Sequence, residues 1–313
     1  MSNYKGILFG LNYKDTSHEL KGCINDVDLM KNCLVNYVGV PKANISIYHD
    51  NTEIKPYKDR MIQILEDAIK EVNNDKKLDT LWVHYSGHGS YVWDRNGDED
   101  YIEINGSLYY GKDEVLCPLD GGYILDDELN LLFSKLNKNK KLVCIFDCCH
   151  SGTALDLPYI YDYKKNLCKK DKNINLIKCD TILLAGALDS QTAADARGLS
   201  KKYNYTGAFT TAILKACQEN VSISLDKIID YAGKYLEENN FMQIPQVTST
   251  FKITGRTQFM VSEYRLSIID RINRYNRLID LCDYYYSIYK NEIYNRYKEY
   301  FKNKKKELKG SLI

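Results

Sequence analysis

The strongest constraint on what this chain can fold into is a regular alternation of two periodicities. Short apolar runs at residues 6–11, 45–48, 81–83, 142–146 and 181–187 are interleaved with helical patterns at 24–37, 58–72, 127–136, 209–217 and 225–238. The runs at 81–83 and 142–146 are uniformly apolar and read as buried strands. Strand, helix, strand in that order predicts an α/β fold: a mostly parallel central sheet with helices on both faces. A further extended piece at 246–253 adds one more candidate strand.

With 313 residues, the chain suits one larger α/β domain, 1–260, with an appendage, 261–313. Lysine plus arginine (43) nearly cancels aspartate plus glutamate (42), which removes the electrostatic case for a general binder of nucleic acid or of membrane surfaces. The ten cysteines show no paired C-x-x-C spacing, so neither a zinc site nor a disulfide framework is expected. No apolar run reaches membrane-spanning length and the first residues carry no signal segment, so the expected setting is a reducing, cytoplasmic one.

Two of the strands end in polar segments that carry chemistry. Leu81-Trp82-Val83 leads into Tyr85-Ser86-Gly87-His88-Gly89, and Leu142-Val143-Cys144-Ile145-Phe146 leads into Asp147-Cys148-Cys149-His150-Ser151-Gly152. Open α/β sheets place their sites at such strand ends. An unassisted thiol is only a few per cent thiolate near neutrality, so a nucleophilic cysteine needs an imidazole beside it. His88 is the candidate base, and the backbone N–H groups of Gly89 and Cys149 are candidate oxyanion donors. A dithiol oxidoreductase built on Cys148 and Cys149 is disfavoured, because adjacent cysteines form strained disulfides.

These segments, with Gly22-Cys23-Ile24-Asn25-Asp26, Ile124-Leu125-Asp126-Asp127-Glu128, Asp189-Ser190-Gln191-Thr192-Ala193-Ala194-Asp195 and Pro245-Gln246-Val247-Thr248-Ser249, closely resemble the type I metacaspases over roughly residues 4–255. The resemblance implies a caspase-like three-layer sandwich, a His88–Cys149 dyad, and a Cys148 side chain directed elsewhere. His84 then reads as a packed or hydrogen-bonded histidine, and His150 as a loop residue. The resemblance also implies a primary pocket around Cys23, Asp26, Ser86 and Asp147, whose two carboxylates would favour arginine or lysine before the cleaved bond. The alternatives are a helix N-cap for Asp26 and a strand-end carboxylate bonded to backbone amides for Asp147. Asp113, Asp126, Asp127 and Asp156 match its calcium ligands, with capping of the following helix as the other reading of Asp126 and Asp127. The N-terminal pro-segment of many members is not expected, because the first strand begins within a few residues of Met1.

Residues 90–117 and 156–178 read as long loops. The second carries Lys164, Lys165, Lys169, Lys170 and Lys172, candidate positions for self-cleavage within 161–178. The acidic run 94–100 reads as a solvated loop, since it departs from the EF-hand pattern. From 262 to 309 there is no glycine or proline. Ile268, Ile272, Tyr275, Ile279, Cys282, Tyr286, Tyr289 and Ile293 recur there at spacings of four and three, the seam of one long helix. That helix would pack on its own domain, self-associate, or meet a partner helix through 265–300. The expected function is a calcium-dependent endopeptidase. The alternative, from another class, is an interaction protein acting through the C-terminal helix with weak proteolysis.

Overall fold

The computed structural model describes residues 3–94, 102–104, 107–109, 111–170, 176–188, 195–200, 202–219, 222–255, 257–261 and 263–310. Its centre is an eight-stranded sheet in the spatial order Leu167–Lys170, Tyr159–Asp162, Gln246–Ser249, Asp180–Ala185, Lys141–Asp147, Leu78–Ser86, Asn3–Gly10, Ile45–His49. The last five are mutually parallel, and the first three join antiparallel at one edge.

Alternation along each strand feeds two separate cores. On Lys141–Asp147, Leu142, Cys144 and Phe146 pack with Met61, Leu65 and Ile69 of the helix Lys58–Asn74 and with Leu129 and Phe133 of the helix Asp126–Phe133. Val143 and Ile145 point the other way, towards Val27 and Met30 of Cys23–Cys33, Phe209 and Ile213 of Ala208–Glu219, and Ile228 and Ile229 of Leu225–Glu238. A strand with period 2 between helices with period 3.6 produces this three-layer arrangement. The first helix stops short of Tyr37 and relaxes into a π-helical turn, Leu34–Val38, closed by Gly39 in a left-handed conformation (φ 91°).

Both expected loops hold secondary structure. Gly89–Trp93, Lys112–Leu116 and Ile124–Leu125 form a small antiparallel sheet, and Ile102–Ile104 pairs with Ser107–Tyr109. Within 156–178, Tyr159–Asp162 and Leu167–Lys170 form a hairpin that extends the central sheet. These strands are only two to five residues long and mix polar with apolar residues, so no apolar run announced them. Asp94 is buried, and the rest of the 94–100 run lies outside the described residues.

The C-terminal segment carries the expected long helix, Glu263–Tyr289, but it ends there. Lys290 turns left-handed (φ 51°), and a second helix, Glu292–Gly310, folds back on the first. The Asn291 side chain accepts the N–H of Ile293 at 3.0 Å and so starts the second helix without any glycine or proline. Seam residues meet this helix: Tyr275 stacks on Phe301 with ring centroids 6.0 Å apart, and Tyr286 donates to Glu292 at 3.1 Å. No helix among the described residues is long and apolar enough to cross a membrane.

Candidate active site

Neighbouring parallel strands bring the two sequence motifs together. Leu78–Ser86 and Lys141–Asp147 pair in a register that sets Tyr85 against Phe146 and Ser86 against Asp147. His88 and Cys149 therefore leave the sheet at the same edge, each two residues past a paired position. Gly89 packs so tightly here that a Cβ would lie 2.0 Å from the Cys149 carbonyl oxygen.

Strand alternation separates the two adjacent thiols. Cys148 continues the row of Cys144 and Phe146 into the core beneath Lys58–Asn74, and burial holds its thiol protonated, well above the ordinary range. Cys149 is half-buried and follows the strand's end. The next residue, His150, has φ 50°, a conformation unusual for a side chain of this kind, and its ring meets Tyr91 edge-on. His84 lies in the core: its Nδ1 bonds the Ile145 carbonyl at 3.0 Å, and burial lowers its pKa to about 4.

The imidazole of His88 lies 2.7 Å through Nε2 from the backbone carbonyl of His18. A carbonyl only accepts, so Nε2 carries the proton and Nδ1 is left as the basic nitrogen. The loop after the first strand supplies this carbonyl, a partner sequence reasoning missed because a main-chain group leaves no side-chain signature.

Two carboxylates converge below the dyad. Asp26 is fully buried and accepts the Ser86 hydroxyl at 2.7 Å and the Gly207 N–H at 2.7 Å. It does not cap its helix, because Gly22 stands at that position. Asp147 accepts the Thr210 N–H at 2.8 Å, so the reading of a carboxylate bonded to a backbone amide describes part of its environment. A Cβ on Gly207 would come within 2.1 Å of an Asp147 oxygen and 2.7 Å of an Asp26 oxygen, so only glycine leaves both carboxylates their place. Cys23 opens the Asp26 helix and is buried where its carbonyl meets the backbone at Gly10. Gly207 and Thr210 lie far along the chain from Asp26 and no local pattern marks them. Residues 189–194 of the matched Asp189 segment are outside the described residues.

A second acidic group forms on the opposite side. Ligand oxygens of Asp113, Asp126 and Asp127 lie within 4.8 Å of one another. Burial first, and the nearby charge of Asp156 second, push the Asp126 carboxyl up to about 8, although it accepts N–H groups from Glu114 and Asp127 at 2.9 Å each. Glu128 accepts the Leu125 N–H at 3.0 Å, so the first turn, with Asp126 on the Asp127 N–H, is also capped as the other reading of these residues has it. Glu114, buried and missed by sequence reasoning, accepts the Thr153 hydroxyl at 2.9 Å, and Asn130 donates to the Leu155 carbonyl at 2.7 Å. The acidic group is thereby tied to the segment that follows Cys149, where Asp156 itself is left-handed (φ 49°). Carboxylates brought this close together fit a hard cation with oxygen ligands.

Comparison with known proteins identifies the family. The family described as "Metacaspase, peptidase C14 domain" matches residues 4–158. Metacaspase-1 of Meyerozyma guilliermondii is 30% identical over 299 residues, covering 79% of this chain and 69% of that protein. Metacaspase-2 of Trypanosoma brucei brucei is 30% identical over 285 residues, covering 83% and 76%. A crystal structure of a Geobacter sulfurreducens protein superposes with a TM-score of 0.56 at 21% identity, over 80% of this chain and 95% of that one, a likeness of fold. The three-layer sandwich expected from the sequence is the fold observed, and the chain belongs to the metacaspases, a family of cysteine peptidases.

Proposed function

We propose that this cysteine peptidase cleaves peptide bonds after arginine or lysine, with Cys149 as nucleophile and His88 as general base, under the control of calcium. The observation that carries the specificity is the convergence of Asp26 and Asp147 on Gly207, beside the strand ends that deliver the dyad. A cationic substrate side chain relieves the repulsion of two carboxylates, whereas an aspartyl side chain adds to it.

In this reading the Cys149 Sγ–H proton passes to Nδ1 of His88, and the sulfur attacks the scissile carbonyl carbon. The N–H groups of Gly89 and Cys149 receive the developing oxyanion. His88 then gives the proton to the leaving amine, and the acyl-enzyme is hydrolysed by a water that His88 deprotonates. Asp113, Asp126, Asp127 and Asp156 would hold the calcium ion. When bound, the ion supplies positive charge to carboxylates otherwise crowded without it. The alternative of an interaction protein acting through an exposed helical seam is less favoured, since a second helix of the same chain meets that seam.

Paired fluorogenic peptides differing only in arginine or aspartate before the scissile bond, assayed with calcium and with chelator, test the proposal. Cleavage of the arginyl peptide alone, dependent on calcium, is expected. Cys149→Ala should abolish it while Cys148→Ala leaves it substantially intact. Preference for the aspartyl peptide would remove the pocket assignment, and equal loss in both folded cysteine variants would remove the nucleophile assignment.

A further inference from the structure

His88 is held not only at its ring but at both polar groups of its backbone, and a tyrosine hydroxyl meets each of them, with the Cys117 N–H also donating to the His88 carbonyl at 3.2 Å. The Tyr13 hydroxyl oxygen accepts the His88 N–H at 2.8 Å, and Tyr13 donates its own proton to the Cys117 carbonyl at 2.6 Å. The Tyr85 hydroxyl donates to the His88 carbonyl at 2.7 Å. The two hydroxyls also lie within hydrogen-bond distance of each other at 3.0 Å, and Tyr85 stands 3.1 Å from the Cys117 carbonyl and accepts the Cys117 N–H at 3.2 Å, so the two phenols form one network around the His88 backbone. The Tyr13 ring also lies against the imidazole, with centroids 4.6 Å apart. A Cβ on Gly87 would sit 2.8 Å and 2.9 Å from the two hydroxyls, so the clamp occupies the space that glycine leaves.

Tyr13 adopts a backbone that a bulky residue rarely takes, φ 51°, and does so next to the reacting groups. What holds it there is remote from the dyad. The Asp50 carboxylate accepts the N–H of Asn12 at 2.7 Å and of Lys14 at 3.0 Å, bracketing Tyr13 on both sides. The loop so fixed runs on to His18, whose carbonyl takes the ring Nε2. One strained loop thus places both the main chain and the ring of the base. Burial keeps both phenols protonated well above the ordinary range, so the clamp does not change charge where a peptidase works.

We infer that Tyr13, through the hydroxyl clamp it forms with Tyr85 on the His88 backbone, is a positioning residue for the general base, and that Asp50 sets it. In this inference Tyr13 acts through His88 and takes no part in the bond changes. Its loss would leave the His88 N–H and the Cys117 carbonyl without this partner and let the imidazole drift, and a displacement of about 1 Å costs on the order of 10²-fold.

The inference rests on the reading of His88 and Cys149 as the dyad, and the test separates the two. The full chain and its Tyr13→Phe, His88→Ala and Tyr57→Phe variants are treated with iodoacetamide as a function of pH. Alkylation of Cys149 is followed by mass spectrometry, and kcat and KM are measured on one peptide. Tyr13→Phe, with an unchanged near-ultraviolet dichroism spectrum, should lower kcat by roughly tenfold to a hundredfold and move KM by less than about twofold. Its alkylation profile should shift towards that of His88→Ala, while Tyr57→Phe, altered on an exposed ring elsewhere, keeps the parent profile. A folded Tyr13→Phe with the parent profile and kcat, against a shifted His88→Ala, overturns the inference and leaves the dyad standing. An unshifted His88→Ala overturns both. Should Tyr13→Phe fail to fold, Asp50→Asn, which keeps every atom of the clamp, should shift the profile the same way by a smaller amount; the parent profile in that variant overturns the inference.

Discussion

His84 stands four residues before the base on the same strand, yet its environment makes it a different kind of group. It pairs in register with Leu8 on one side and Ile145 on the other and faces a layer of aliphatic side chains. Its Nε2 has no hydrogen-bond partner among the described residues. Burial therefore favours the neutral ring and lowers the pKa from 6.5 to about 4. Between those values the unfolded chain binds the proton and the folded chain does not, so stability rises with pH across this window. The contribution is present in full above pH 6.5 and is lost as pH falls towards 4, and it amounts to roughly 3 kcal/mol if the whole shift is realised. Urea denaturation of the parent and of His84→Leu at several pH values should show the flatter dependence in the variant. Parallel curves would mean that His84 is reached by water.

At the scale of elements, the helix Asp126–Phe133 and the strand Lys112–Leu116 share one acidic group, and the segment after Cys149 is fastened to it through Thr153 and Leu155. Under the proposed calcium site, replacing Asp126 and Asp127 together by asparagine should raise the calcium needed for activity and abolish the thermal stabilisation expected on adding calcium to the folded chain. At about a hundred times its dissociation constant, that stabilisation should be about 2.7 kcal/mol in the parent. An equal shift in melting temperature in both proteins would remove these residues from the site. The elements themselves were legible to different degrees. Buried parallel strands announce themselves as unbroken apolar runs, and the two motifs at their ends name the chemistry. The clamp on His88, the Gly207 cradle and Glu114 gave no such signal, because each depends on partners tens to more than a hundred residues away that only the folded sheet assembles. The turn at Lys290 was hidden for a related reason: neither glycine nor proline marks it, and the seam that suggested one helix is met by the helix that follows.

For the molecule as a whole, the hairpin of Tyr159–Asp162 and Leu167–Lys170 is the edge of the central sheet, and an edge strand is the part of a sheet that another chain, or a cleft, can take hold of. Lys164, Lys165, Lys169 and Lys170 are all exposed, the first two in ion pairs with Glu237 and Asp162, and Lys172 lies outside the described residues. Self-cleavage within 161–178 should appear by mass spectrometry when the active protein is incubated with calcium and should be missing from Cys149→Ala. A tethered segment reaches effective concentrations of the order of millimolar, so modest specificity suffices. Identical fragments from the inactive variant would assign the cuts to another protease.

The pairing of Ser86 with Asp147 has a consequence for chemical probes. Adjacent strands lie about 4.8 Å apart and do not slide without turning every side chain to the other face. The strand ends that deliver nucleophile and base therefore keep their separation, while the last two residues to each are set by the segments packed around them. A small electrophile that needs only the thiol would label resting and working molecules alike, while a peptide-length reagent, which must also seat a cationic side chain, would count the working ones. The ratio of the two labels would measure the fraction of the population that is switched on.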